Sequence, residues 1–233
     1  MINKQTIAAI VPAAGVGSRM QHTTPKQYIS LAGKTILEHT LAKLSQLPQL
    51  NSIVVALSET DPYFDDLTLA DPRIVRAIGG KERADSVLNS LLFLAANPPA
   101  WVLVHDAARP LVDIADIERL IAQCLQADEG GILASKVKDT IKRGQSHAQQ
   151  TVPRDDLWQA FTPQLFKYDE LKAALQSALN SGATITDEAS AMEWANKPVK
   201  LVAGRSDNIK ITTPEDLDLA GFLLQKQNNE SAT

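Results

Sequence analysis

The sequence has only one cysteine, Cys124. An internal disulfide is therefore excluded, and a reducing, cytoplasmic setting is expected. Cys124 falls in an apolar helical pattern, which reads as a buried structural thiol and not a nucleophile. The four histidines are scattered and, with one cysteine, offer no zinc-type spacing. Basic residues are not in excess. The formal net charge is −4 with a pI near 5.6, so no global positive field draws the chain to nucleic acid, and an anionic ligand must be held by local cations. No apolar run is long enough to cross a bilayer, and the N-terminal residues lack the apolar core of a signal peptide. There is no Ser/Gly-rich linker, repeat or low-complexity tract. With 233 residues and 44% hydrophobic content, one α/β domain with a full core, spanning 1–233, is expected.

What is present is an alternation. Ile7 to Val11 reads as a short buried strand closed by Pro12, which gives no N–H to a ladder. Leu37, Leu41, Leu44 and Leu47 then recur at helical spacing. Further strands are expected at 52–57, 74–78, 101–104 and 131–137, with helices after the third and fourth of these five. Strand–helix alternation predicts a mostly parallel sheet covered by helices on both faces, Rossmann-like, with ligands at the carboxyl ends of the strands. The rhythm breaks at Lys138. Residues 138–160 are polar with a turn-like tip, and read as a projecting β-hairpin arm. A two-stranded hairpin is marginal alone in water, so a second copy of the chain is the expected support. Beyond it come a helix around 171–179, another opening at Thr186, strands at 199–202 and 208–211, and a helix begun by Thr213-Pro214-Glu215-Asp216. The acids of that last start are expected to serve its cap. The polar residues 225–233 are expected to fray.

The polar clusters fall at strand ends. Ala13, Ala14, Gly15, Val16 and Gly17 are nearly all small, so backbone amides can approach an anion closely. Arg19 and Lys26 follow, and that combination suits a polyphosphate. The others are Gly79-Gly80-Lys81-Glu82-Arg83-Ala84-Asp85-Ser86, His105-Asp106-Ala107-Ala108-Arg109-Pro110, Thr186-Asp187-Glu188-Ala189-Ser190 and Asp207-Asn208-Ile209-Lys210. Each alone has a plainer account: a turn with surface cations, a glycine turn, a helix-capping serine, a buried acid capping the next turn. A dinucleotide-binding turn fits poorly, since Met20 stands where its third glycine belongs. A phosphate-binding P-loop fails as well, because Tyr28 occupies its first glycine position. His105 reads as structural.

Taken in this order with Pro25-Lys26-Gln27-Tyr28, these motifs resemble the nucleotidyltransferases that activate polyol phosphates. They are most similar to the 2-C-methyl-D-erythritol 4-phosphate cytidylyltransferase family of the non-mevalonate isoprenoid pathway, over about residues 7–225. The resemblance implies an Mg²⁺-dependent cytidylyltransferase acting on CTP and a polyol phosphate, working as a homodimer through the 138–160 arm. It places Pro12, Ala13, Ala14 and Gly15 at the triphosphate and Gly80, Lys81 and Ser86 around the cytosine. Arg19 and Lys26 would meet the α-phosphate, and Arg154 and Lys210 the incoming phosphate. Asp106, Arg109, Thr140, Thr162 and Thr186 would hold the polyol. Thr140, Arg154 and Thr162, on or beside the arm, are implied to reach the neighbouring subunit's site. The family position held here by Lys81 is often acidic, which leaves a side-chain role there open. No protein metal ligand is implied, since Mg²⁺ commonly binds through substrate phosphates and water. Three other readings stay open at this stage: a cytidylyltransferase for another pentitol phosphate such as ribitol 5-phosphate, a dinucleotide-dependent oxidoreductase, and an inactive nucleotide sensor.

Overall fold

The structure, a computed structural model, describes residues 5–15 and 24–231. The first strand, β1 (Ile7–Pro12), is buried along its apolar length and sits between two parallel neighbours, β4 (Leu50–Leu57) and β6 (Trp101–Val104). Burial on both faces is why these strands read as continuous apolar runs, not alternating ones. With β5 (Ile74–Ile78), β7 (Gly131–Lys136), β10 (Trp158–Lys167) and β11 (Lys200–Ala203) they form a seven-stranded sheet of order β11-β7-β10-β6-β1-β4-β5. A two-stranded ribbon of β2 (Ser30–Leu31) and β3 (Lys34–Thr35) precedes α1 (Ile36–Ser45).

Both sheet faces are covered. Leu37, Leu41 and Leu44 of α1 and Ile117, Leu120, Ile121 and Cys124 of α3 (Ile114–Ala127) pack on one side with alternate residues of β1 and β4. On the other side lie Val87 and Leu91 of α2 (Arg83–Phe93), Leu171 and Leu175 of α4 (Tyr168–Asn180), and Ala191 and Met192 of α5 (Glu188–Trp194). Burial pushes the Cys124 thiol up to about 12, as befits a structural residue. Local capping agrees with the sequence. Thr35 and Glu38 form a capping box on α1, and Asp216 accepts the Thr212 and Thr213 amides at 2.8 and 2.9 Å at the start of α6 (Pro214–Ser231).

Three expectations need correction. β10 was not foreseen, and it runs antiparallel between β6 and β7. Pro163 within it argues against a central strand, yet the proline falls in the register break between Ala160 and Gln164, where no ladder N–H is required. Residues 208–211 form no strand. Their backbone is bonded to a loop instead, with Ile211 N–H donating to the Ala108 carbonyl at 2.9 Å and the Arg109 guanidinium to the Asn208 carbonyl at 2.6 Å. Residues 225–231 are helical, not frayed. Gln227 Nε2 donates to the Leu111 carbonyl at 3.0 Å and ties the last turns of α6 down. The 138–160 region holds the expected hairpin, β8 (Ile141–Gly144) with β9 (Ala148–Val152), as a separate and largely exposed ribbon.

Candidate active site

The carboxyl ends of β1, β5 and β6 open into a cleft of about 270 Å³ lined by Pro12 to Gly15, Lys26, Gln27, Gly80 to Arg83, Ser86, Asp106 to Ala108 and Lys210. A second cavity of about 190 Å³ adjoins it, lined by Arg109, Phe161, Thr162, Gln164, Thr186 and Asp187 among others. Arg83, Asp106 and Lys210 line both. The sheet has thus placed two anion-sized spaces side by side at its carboxyl rim, sharing one charged wall.

The nucleotide side is set by close approach. A Cβ on Gly79 would stand 2.6 Å from Ala14 Cβ, and one on Gly80 would overlap Asp85. The glycines therefore let the two loops press together. Ser86 is buried, accepts the Gly80 amide at 3.0 Å and donates to the Glu82 carbonyl at 3.1 Å. Its hydroxyl shapes the turn and lines the cleft. The Ala13 amide continues the sheet to the Ala56 carbonyl at 2.8 Å, and the Gly80 amide is taken by Ser86. Gln27, buried, donates to the Ala13 carbonyl at 2.6 Å and fastens the turn that carries Lys26 to the end of β1. Lys26 Nζ lies 3.5 Å from the Ile211 carbonyl. Lys81 is exposed at the cleft rim. Arg19 lies outside the described residues.

Asp106 is the electrostatic centre. Arg83 Nε donates to its Oδ1 at 2.8 Å, Lys210 Nζ reaches Oδ2 at 2.8 Å, and Arg109 Nε stands 3.7 Å away. Burial alone would raise the Asp106 carboxyl, but the charges of Arg83, Lys210 and Arg109 outweigh it and hold it well below the usual carboxylate range. Arg109 is itself fixed by the Asn208 carbonyl and stacks its guanidinium 5.2 Å from the Phe161 ring centroid. Its Nε is buried and has no hydrogen-bond partner among the described residues, facing Asp106 Oδ2 across 3.7 Å.

Beneath Asp106 a chain of hydrogen bonds fixes the backbone. The Asp106 amide donates to Thr162 Oγ1 at 3.0 Å, and Thr162 Oγ1 lies 3.0 Å from His105 Nδ1. His105 Nε2 lies 3.0 Å from the Arg109 carbonyl, which can only accept. The ring proton is therefore on Nε2, and Nδ1 accepts from the threonine. Burial pushes His105 down to about 4, opposed by Asp106, so the ring is neutral with both nitrogens used. His105 is structural, as the sequence suggested.

Thr186 lines the second cavity at the entry to α5. Thr162 is buried in this chain's own site on β10, a correction to its expected place beside the arm. Thr140 and Arg154 are exposed on the arm and line neither cavity, and Arg154 donates to the Lys138 carbonyl at the arm's base. Within one chain the fold thus gathers Lys26, Lys210, Asp106, Arg109, Thr162 and Thr186, and leaves Thr140 and Arg154 apart.

Two members went unassigned in the sequence. Arg83 is held by Glu188 in a two-pronged ion pair, Nη1 to Oε1 at 2.7 Å and Nη2 to Oε2 at 3.0 Å. The signal was legible: Glu188 adjoins Ala189 on the face that buries Ala191 and Met192, and a charge there demands a buried partner. Among the described residues no group of three or more His, Cys, Asp or Glu side chains could hold a metal ion.

A sequence model of the 2-C-methyl-D-erythritol 4-phosphate cytidylyltransferase family matches residues 7–226. The chain belongs to this family. Membership makes it an enzyme, a cytidylyltransferase. It is 80% identical over 232 residues to the 2-C-methyl-D-erythritol 4-phosphate cytidylyltransferase of Pseudoalteromonas translucida (strain TAC 125), covering 100% of this chain and 96% of that protein. To the protein of the same name from Vibrio atlanticus (strain LGP32) it is 55% identical, covering 97% and 98%. The crystal structure of the Francisella tularensis 2-C-methyl-D-erythritol 4-phosphate cytidylyltransferase superposes with a TM-score of 0.81 at 37% identity, covering 94% of this chain and 99% of that one. The family match also sets aside the oxidoreductase reading.

Proposed function

We propose that this chain transfers the cytidylyl group of CTP to 2-C-methyl-D-erythritol 4-phosphate, forming 4-diphosphocytidyl-2-C-methyl-D-erythritol and pyrophosphate in isoprenoid precursor biosynthesis. The observation that carries the assignment of roles is the shared wall: Asp106, Arg83 and Lys210 border both cavities. CTP occupies the larger cleft, its phosphates against the Ala14 and Gly15 amides and Lys26, its base against the Gly79–Gly80 turn. The polyol phosphate occupies the smaller, with hydroxyls on Asp106, Arg109, Thr162 and Thr186 and its phosphate on Lys210.

A phosphomonoester oxygen then attacks the α-phosphorus in line as pyrophosphate leaves. The nucleophile is already anionic at neutral pH, its second pKa being about 6, so no base is required. What opposes reaction is repulsion between two anions and charge growth in the transition state. Lys26 and Lys210 neutralise both, and the fixed cleft orients the reactants. Arg19 joins them in this reading. The carboxylates that line the cleft are committed, Asp106 to cations and Glu82 to the first turn of α2, which suits an Mg²⁺ held by phosphate oxygens and water. Bound there, Mg²⁺ would supply further charge neutralisation.

The chain acts as one nucleotidyltransferase domain of the cytoplasm, and it pairs as a homodimer in which the arm of one copy brings Thr140 and Arg154 to the cleft of the other. Their distance from this chain's own cavities supports that reading. The test is pyrophosphate release by purified protein with Mg²⁺, each of the four nucleoside triphosphates, and either 2-C-methyl-D-erythritol 4-phosphate or ribitol 5-phosphate. Turnover is expected only with CTP and the methylerythritol acceptor. Turnover with ribitol 5-phosphate alone would move the enzyme to the other pentitol.

A further inference from the structure

Arg83 and Glu188 are the first residues of α2 and α5, two helices that begin on opposite sides of the site. Each nitrogen of the Arg83 guanidinium has a carboxylate partner. Nη1 and Nη2 go to Glu188, whose side chain is 1% exposed, and Nε goes to Asp106 Oδ1. Asp106 keeps its other oxygen for Lys210, at 2.8 Å.

A purely structural ion pair is the simplest account, and the local packing speaks against it. α2 already carries a capping box of Glu82 and Asp85 and buries Ala84, Val87 and Leu91. α5 has its own box of Asp187 and Ser190, a second anchor from the Ala189 amide to Gln164 Oε1 at 2.9 Å, and a buried apolar face. Neither helix needs a salt bridge to stay in place, and desolvating two charges is costly enough that an apolar pair of similar volume is often as stable or more so.

The charges explain the arrangement better. If Asp106 faced Lys210 alone, it would hold that ammonium firmly and withhold it from an incoming phosphate. Arg83 takes one oxygen of the carboxylate, so Lys210 can leave the other. Glu188 in turn takes one N–H from each outer nitrogen of Arg83, which fixes the plane of the guanidinium and aims Nε at Asp106. We propose that Arg83, held by the buried Glu188, is a positioning residue that orients Asp106 and keeps Lys210 exchangeable, so that capture of the polyol phosphate depends on an ion pair set into the wall between the two cavities. The inference rests on the assignment of Asp106 and Lys210 to the acceptor.

The test compares Arg83→Met/Glu188→Met with wild type and with Asp106→Asn. The double variant is expected to melt no earlier than wild type. Its KM for the polyol phosphate should rise about 10- to 100-fold, the range found when outer partners of a site's ligands are removed. Its KM for CTP should stay within about twofold. Glu188→Gln, which keeps the shape and loses the charge, should show the same split in smaller degree, and serves alone should the double variant fail to fold. Unchanged KM for both substrates, or a proportional rise in both with a lower melting temperature, would overturn the proposal. Asp106→Asn separates the two levels: a normal polyol KM in that variant means the acceptor assignment itself is wrong, whereas a raised KM there beside a normal one in the double variant refutes the positioning role alone.

Discussion

Asp106 stands between cations, and Lys26 faces the same cleft without being part of that cluster. The two lysines therefore differ in what their loss should do. Lys26→Ala removes charge stabilisation on the nucleotide side and should lower kcat by the equivalent of about 2.7–4 kcal/mol, as loss of one oxyanion donor does elsewhere. Its unfolding midpoint should barely move, because Lys26 lies at a cleft surface; steady-state kinetics beside chemical denaturation reads both. His105 governs a different observable. Its ring is held neutral down to about pH 4, whereas in the unfolded chain it protonates near 6.5. Between those values the unfolded state binds the extra proton, so stability rises with pH across that window and is lost as pH falls from about 6.5 to 4. The contribution is on the order of 3 kcal/mol for a shift of this size. Unfolding free energy measured from pH 7 to pH 4 should fall in wild type and flatten in His105→Asn, whatever the absolute stability of that variant.

Among the elements, the pairing of the first loop with the Gly79–Gly80 turn sets the width of the nucleotide slot. Gly79→Ala places a methyl against Ala14 and should cost about 1–3 kcal/mol through overpacking while raising the KM for CTP more than that for the acceptor. Thr35→Ala is the contrasting case, removing the cap of α1 far from the chemistry; about 1 kcal/mol of stability should go, with kcat unchanged. The elements also show what the sequence could and could not reveal. β1, β4, β6 and β7 were legible because strands buried on both faces are unbroken apolar runs. β10 was hidden because Gln159, Thr162, Pro163 and Gln164 interrupt it, and two of these serve the site: Thr162 supports Asp106, and Gln164 anchors α5. Segment 208–211 read as a strand because Ile209 and Ile211 alternate with polar neighbours, yet its hydrogen bonds go to the loop after β6. The family resemblance pointed to Asp106, Arg109 and Lys210, and three-dimensional proximity showed that Arg83 and Glu188 complete their charge balance.

For the whole molecule, the arm is the part that one chain leaves unexplained. Among the described residues its strands pair with each other and are largely exposed, and Arg154 lines neither cavity. On the proposed exchange of arms, a mixture of Arg154→Ala and Arg19→Ala subunits should regain part of the activity lost by each alone, since a mixed dimer would then rebuild one intact site. Verified subunit exchange with no recovery would confine the arm to its own chain. The backbone bond from Ile211 to Ala108 carries a consequence for biosynthesis as well. The loop bearing Lys210 is drawn onto a strand end made about a hundred residues earlier in translation, so the cleft that Lys210 lines stays open on that side until nearly the whole chain has left the ribosome. Premature termination before it would leave a sheet whose charged rim lacks that lysine.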